Sequence, residues 1–151
     1  MISQLHQILV HSVGAFGGTL GYAFLLNAPL STVLPASLTG LLGYVLYEVL
    51  LAFGSCSAIF SYFAATVVIT VLCEIEARMM RMPSTIFLLT ALVPLVPGYT
   101  FYCAMLALVE NSGSAAASYG LEAVQIVAAI AVGAAVTSVV FRALTVRRKH
   151  A

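Results

Sequence analysis

The chain has 151 residues, 62% of them hydrophobic and only 7% charged, with a formal net charge of +1 and a mean hydropathy of +1.11. A soluble domain needs several times that charge to cover its surface, so the composition excludes a soluble globular protein. It points to an all-α, polytopic membrane protein, a single integral membrane domain over residues 1–151 inserted in the lipid bilayer. No basic patch interleaved with aromatics supports nucleic-acid binding.

Five membrane segments are expected, each near the twenty or so apolar residues a bilayer requires. The first covers residues 5–26. It carries two offset GxxxG pairs, Gly14 with Gly18 and Gly17 with Gly21, a spacing that lets helix backbones approach closely; packing within this chain is the expected use. No basic n-region precedes it, so it is expected to persist as a helix rather than act as a signal peptide. The second covers residues 33–53, with Pro35 in its first turn, where proline is tolerated. The third covers residues 56–77 and ends in the cluster Glu74, Glu76, Arg78 and Arg81. The fourth covers residues 84–109. The fifth covers residues 118–144, rich in alanine with Gly133 near its centre, and follows the polar link 110–114.

Arg78 and Arg81 follow the third segment, and Arg142 with Arg147, Arg148 and Lys149 close the fifth. If the fourth segment crosses once, these lie on one side. The excess of Arg and Lys on cytoplasmic loops makes that side cytoplasmic and places the N-terminus outside.

The fourth segment is broken. Residues 94–98 read Pro-Leu-Val-Pro-Gly inside an apolar run. Proline removes a backbone donor and clashes with the preceding turn, and glycine allows backbone angles other residues avoid. Unpaired backbone groups in hydrocarbon cost several kcal/mol, so such a break needs protein or a water-filled cavity around it. Interrupted helices mark substrate sites in transporters. A short helix restarting near Tyr99 would offer free N–H groups and a partial positive charge to a carboxylate. Pro94, Pro97, Gly98, Tyr99, Thr100 and Tyr102 are therefore the candidate substrate site. The competing reading is a kink that only shapes packing.

Glu48 is the acid placed well within a segment, and intramembrane acids are functional candidates. Gly40, Tyr44, Tyr47 and Glu48 share one helix face, so Glu48 and Tyr44 are candidates for coupling or gating. The alternative is that Glu48 reaches the outer interface or bonds a tyrosine. Glu74 and Arg78, four apart, fit a surface pair, and Glu76 and Arg81 fit an interface. Glu110 and Glu122 read as solvated ends, and His6 and His11 as outer-end packing.

An enzyme is not expected. The chain contains no aspartate and no HExxH, which removes paired-aspartate and zinc intramembrane proteases. Ser55 and Ser57 lack a GxSxG context. Cys56, Cys73 and Cys103 are isolated in apolar runs and fit packing rather than a disulfide or metal site. No catalytic residue, metal or cofactor is expected.

The run Arg81-Met-Pro-Ser-Thr-Ile-Phe87, then Pro94-Leu-Val-Pro-Gly98 and Tyr102, carries a family resemblance. Gly21-Tyr22, Leu26-Asn27, Pro29, Gly40, Gly43-Tyr44 and Tyr47 add to it. Over residues 16–109 the chain resembles the C-terminal half of the threonine/serine exporter (ThrE) family, in the form of its YjjB-type small subunits; the fifth segment fits by hydropathy. The resemblance implies a bacterial inner-membrane exporter of small carboxylates acting with a larger YjjP-like membrane subunit. The split form implies succinate or a similar dicarboxylate. The fused form implies threonine and serine, and a non-transporting scaffold subunit is a further alternative. The resemblance transfers no site residues.

Overall fold

The computed structural model describes residues 2–53 and 57–149. Ser55 and Cys56 lie outside the described residues, as do the side chains of Arg147, Arg148 and Lys149. The described residues form α1 (Ile2–Leu25), α2 (Leu30–Phe53), α3 (Ala58–Met80), α4 (Ser84–Ala91), a 3-10 turn (Val93–Leu95), α5 (Gly98–Val109) and α6 (Gly113–Lys149), with no strand among them. Four helices are long and apolar enough to cross a membrane. The α4 and α5 pieces make a fifth candidate span, bent by 54°.

The helix ends explain where the expected boundaries shift. Three helices end on a left-handed residue, Asn27, Arg81 and Asn111, with φ of 55°, 55° and 57°. In each case the next N–H donates five residues back: Ala28 to Ala23, Met82 to Ala77, Ser112 to Ala107. This pairing satisfies carbonyls that a helix C-terminus otherwise leaves free. It makes the third connection so tight that α6 starts at Gly113, five residues before the expected 118, and the polar link shrinks accordingly. α2 starts at Leu30, earlier than expected, because the Thr32 hydroxyl and N–H both donate to the Pro29 carbonyl, each at 2.8 Å. Pro35 therefore sits in the second turn of α2, not the first. α3 starts after Ser57, whose hydroxyl accepts from the Phe60 N–H.

Contacts fix the helix directions. Thr19 lies beside Gly40 and His11 beside Glu48, so α1 and α2 are antiparallel. Tyr47 stacks on Tyr62 and Thr39 bonds Glu76, so α2 and α3 are antiparallel. Gly133 meets Phe63 and Thr66 and Phe141 meets Arg78, so α3 and α6 run parallel. A parallel return requires the α4–α5 segment to carry the chain from one end of the bundle to the other. The broken segment is a crossing, not a fold-back.

The packing is inside-out relative to a soluble bundle. The core between α2, α3 and α4 is built from Ala36, Ala65, Ala77 and Ala91 around Ile69, Cys73, Phe87 and Leu95. Most large aliphatic side chains face outward, as expected where lipid is the solvent and small residues let helices close up. Buried hydroxyls of Thr19, Ser37, Thr66, Thr70, Thr90 and Thr137 donate to carbonyls one turn back in their own helices. They cost no unpaired donor in the interior.

The glycines divide in an unexpected way. A Cβ at Gly14, Gly17, Gly18 or Gly21 would meet nothing within 4 Å, so the GxxxG face of α1 is not the internal packing face the spacing suggested; Ser12, Thr19 and Ala23 are the buried positions. Gly133 does make a close approach: a Cβ there would lie 3.3 Å from the Phe63 carbonyl oxygen and from Thr66. Gly133→Leu is therefore expected to destabilise the detergent-solubilised protein by about 1–3 kcal/mol, whereas Gly17→Leu leaves thermal unfolding within about 0.5 kcal/mol of wild type. Equal losses would contradict this assignment of faces.

Candidate functional site

The break has three parts. α4 stops at Ala91 and tightens into the 3-10 turn. Val96 is extended, with φ −63° and ψ 127°. Pro97, at φ −77° and ψ 57°, centres a turn in which the Gly98 N–H donates to the Val96 carbonyl at 2.7 Å. Those values are an inverse γ-turn. Gly98 opens α5 without a positive φ, and a Cβ there would meet nothing. The prolines make the break, and the expected role of glycine as a source of unusual backbone angles is not used. No side chain caps the start of α5, so this N-terminus keeps free N–H groups and roughly half a positive charge.

The 54° bend swings α5 away from the bundle, where it packs on α6. The wedge left behind is a cavity of about 680 Å³, within the size range of small-molecule sites. It lies toward the end of the bundle where α2 finishes and α3 begins. Pro94, Pro97, Gly98, Tyr99 and Thr100 line one wall. Tyr44, Tyr47 and Glu48 from α2 and Tyr62 from α3 line the opposite wall, with His11 from α1 and Glu122 from α6 closing the sides. Two candidate groups far apart in sequence, the break and Glu48, thus face one space. Tyr102 does not line it; the residue is 62% exposed and sits one turn further along α5 than Gly98.

Glu48 is held on both flanks. The Tyr44 hydroxyl donates to Glu48 Oε1 at 2.8 Å, and His11 Nδ1 lies 3.4 Å from the same oxygen. The Glu48 side chain is 19% exposed, toward the cavity. Tyr44, Tyr47 and Tyr62 form an aromatic ladder with ring centroids 6.0 Å and 4.4 Å apart. Two carboxylates therefore face the uncapped N-terminus of α5, and the lining contains no arginine or lysine.

A family model described as "Threonine/Serine exporter, ThrE" matches residues 11–140. The chain belongs to the threonine/serine exporter family. It is a multi-pass membrane protein of a transporter family, which agrees with the absence of catalytic motifs from its sequence. No curated protein and no solved structure matches it.

In this exporter-family chain, sequence reasoning missed three polar cavity residues, Tyr62, His11 and Glu122. His11 and Glu122 read as end groups because each sits near the start of a long apolar run. His11 and Glu48 occupy similar depths on antiparallel neighbours, a signal legible once α1 and α2 are paired through the tight link at residues 26–29. Glu122 was hidden by the assumed start at 118; with α6 beginning at Gly113 it lies more than two turns inside the helix. Glu76 also departs from its expected interfacial place. Its carboxyl turns into the α2–α3 contact, where the Thr39 hydroxyl donates to Oε1 at 2.5 Å. Arg78 reaches across to α6, over the Phe141 ring at 4.7 Å and toward its carbonyl oxygen at 3.4 Å.

Proposed function

We propose that the chain forms the substrate path of a bacterial inner-membrane exporter of small hydroxylated amino acids, threonine or serine. The observation that carries this reading is the charge arrangement of the cavity. A zwitterion can place its carboxylate at the uncapped N-terminus of α5, beside Thr100, and its ammonium between Glu48 and Glu122. A dicarboxylate such as succinate would bring two negative charges against two carboxylates with no arginine or lysine to offset them, so the succinate reading, which rests on the resemblance to YjjB-type chains, is electrostatically the poorer fit.

Arg78, Arg81 and Arg142 gather at the end opposite the cavity, which supports a cytoplasmic location for that end and an outside location for the start of α1. In that orientation the cavity lies toward the exit side. A larger YjjP-like membrane subunit is the proposed partner, and the open small-residue face of α1, with Gly14, Gly17, Gly18 and Gly21, suits close contact with a helix of another chain.

The test is efflux of labelled threonine, serine and succinate from cells lacking their own exporters, with this chain expressed alone and with a YjjP-like subunit. Threonine or serine efflux only with both chains is the expected result. Succinate efflux with no amino-acid efflux would reverse the substrate assignment. Equal efflux from this chain alone would remove the partner, and no efflux of any label with both chains in the membrane would favour the scaffold alternative.

A further inference from the structure

The exporter reading uses Glu48, Glu122 and the break but leaves the carboxyl of Glu76, in the other half of the bundle, unexplained. Glu76 lies within the α3 span, about one turn before its end at Met80. Its Oε1 accepts from Thr39, a residue only 2% exposed. Its Oε2 is buried with no hydrogen-bond partner and is closed to water. An ionised carboxylate with a dry, undonated oxygen is among the costliest arrangements a membrane interior can hold, whereas the neutral acid tolerates it far better. Among the described residues no cation pairs with Glu76. α2 supplies Thr39, and its own single ionisable acid, Glu48, is about 13 Å further along the helix at 1.5 Å per residue. α4 carries no titratable side chain. On α3 itself the neighbours are the buried Cys73 thiol and a second acid, Glu74, while Arg78, two residues on, points near the opposite side of the helix, to Phe141.

We infer that Glu76 is a proton-binding site: a carboxylic acid that carries a proton while the α2–α3 contact is closed and gives it up when that contact admits water. The step forms and breaks one O–H bond at Oε2, with water as donor and acceptor, and moves no electrons. Its place is the half of the bundle away from the cavity, on the same helix pair, with the Gly43–Ile69 contact between the two. On the exporter reading, which this extension rests on, a proton taken up at Glu76 is the counter-ion exchanged for a net-neutral amino acid bound at Glu48.

The protonation itself is testable without transport. Infrared spectroscopy of the purified, detergent-solubilised chain at neutral pH should contain the carbonyl stretch of a protonated carboxyl, and Glu76→Gln should remove it. Thr39→Val keeps the acid and should shift the same band by deleting its hydrogen bond, which guards against a Glu76→Gln variant that fails to fold. A spectrum without such a band, or a band unmoved by both substitutions, overturns the inference. In proteoliposomes holding whichever subunits support efflux, Glu76→Gln should lose accumulation driven by a pH gradient yet retain exchange of labelled for unlabelled threonine. Gradient-driven accumulation equal to wild type would overturn the coupling role even where the band is present. If the wild-type complex moves no threonine or serine, the exporter reading fails while the spectrum still decides Glu76.

Discussion

Glu48→Gln is expected to reduce threonine export about ten- to a hundredfold at low substrate concentration while leaving the protein inserted and folded. The magnitude follows from the loss of one charge-assisted hydrogen bond to the substrate ammonium, about 1.5–3 kcal/mol, at tenfold per 1.4 kcal/mol. Glutamine keeps the size of the side chain and can still accept from the Tyr44 hydroxyl, so stability should hardly change. The loss should therefore appear in the apparent KM. Tyr44→Phe deletes a single neutral donor to Glu48 Oε1 and should cost less, about 0.5–1.5 kcal/mol. A substrate series sharpens the argument. N-acetylthreonine lacks the ammonium and should compete poorly for the wild-type site; the gap between it and threonine should narrow in Glu48→Gln. Export by Glu48→Gln at the wild-type rate and KM, in cells with equal amounts of protein, would remove Glu48 from the substrate path.

The parts of this arrangement that could be read in advance are those written in local chemistry. Long apolar runs named the spans, and the Pro94–Pro97 pair named the break, because proline acts on its own helix whatever surrounds it. Glu48 and Tyr44 were legible as a pair because residues four apart share a helix face, and the structure joins them by a hydrogen bond. What could not be read is what depends on neighbours. Spacing alone made the α1 glycines look like an internal packing face, yet small residues permit close approach without saying which helix approaches. Gly98 looked like a source of backbone freedom, but Pro97 already makes the turn. His11 and Glu122 became cavity residues only through the antiparallel pairing of α1 with α2 and the early start of α6. Glu76 looked interfacial from its distance to Arg78 and Arg81, and only the α2–α3 register brings Thr39 to it.

The contact that holds that register is Gly43 against Ile69. A Cβ built at Gly43 would overlap the Ile69 Cγ1 and Cδ1 atoms, and Ile69 is fully buried in the core between α2, α3 and α4. Ile69 is β-branched, with few rotamers to escape into, and its neighbours Ala36, Ala65, Phe87 and Leu95 leave little room. Gly43→Ala should therefore destabilise the protein by about 1–3 kcal/mol, the usual cost of overpacking, despite the higher helix propensity of alanine. Gly43→Val should cost more. Ile69→Ala alone should also destabilise, by opening a cavity. The double variant Gly43→Ala/Ile69→Ala should recover part of the loss, with a coupling of about 0.5–3 kcal/mol in thermal unfolding. Strict additivity would mean that the two residues do not meet. The functional consequence follows from position: Gly43 lies between the level of Thr39 and Glu76 and the level of Glu48, so a side chain there pushes α2 from α3 where the cavity must be kept apart from the buried acid. Gly43→Ala is expected to weaken gradient-driven export more than its effect on protein abundance explains. The double variant should restore abundance before it restores coupling, because refilling the gap with a smaller pair brings the helices back together without the seal that Ile69 makes.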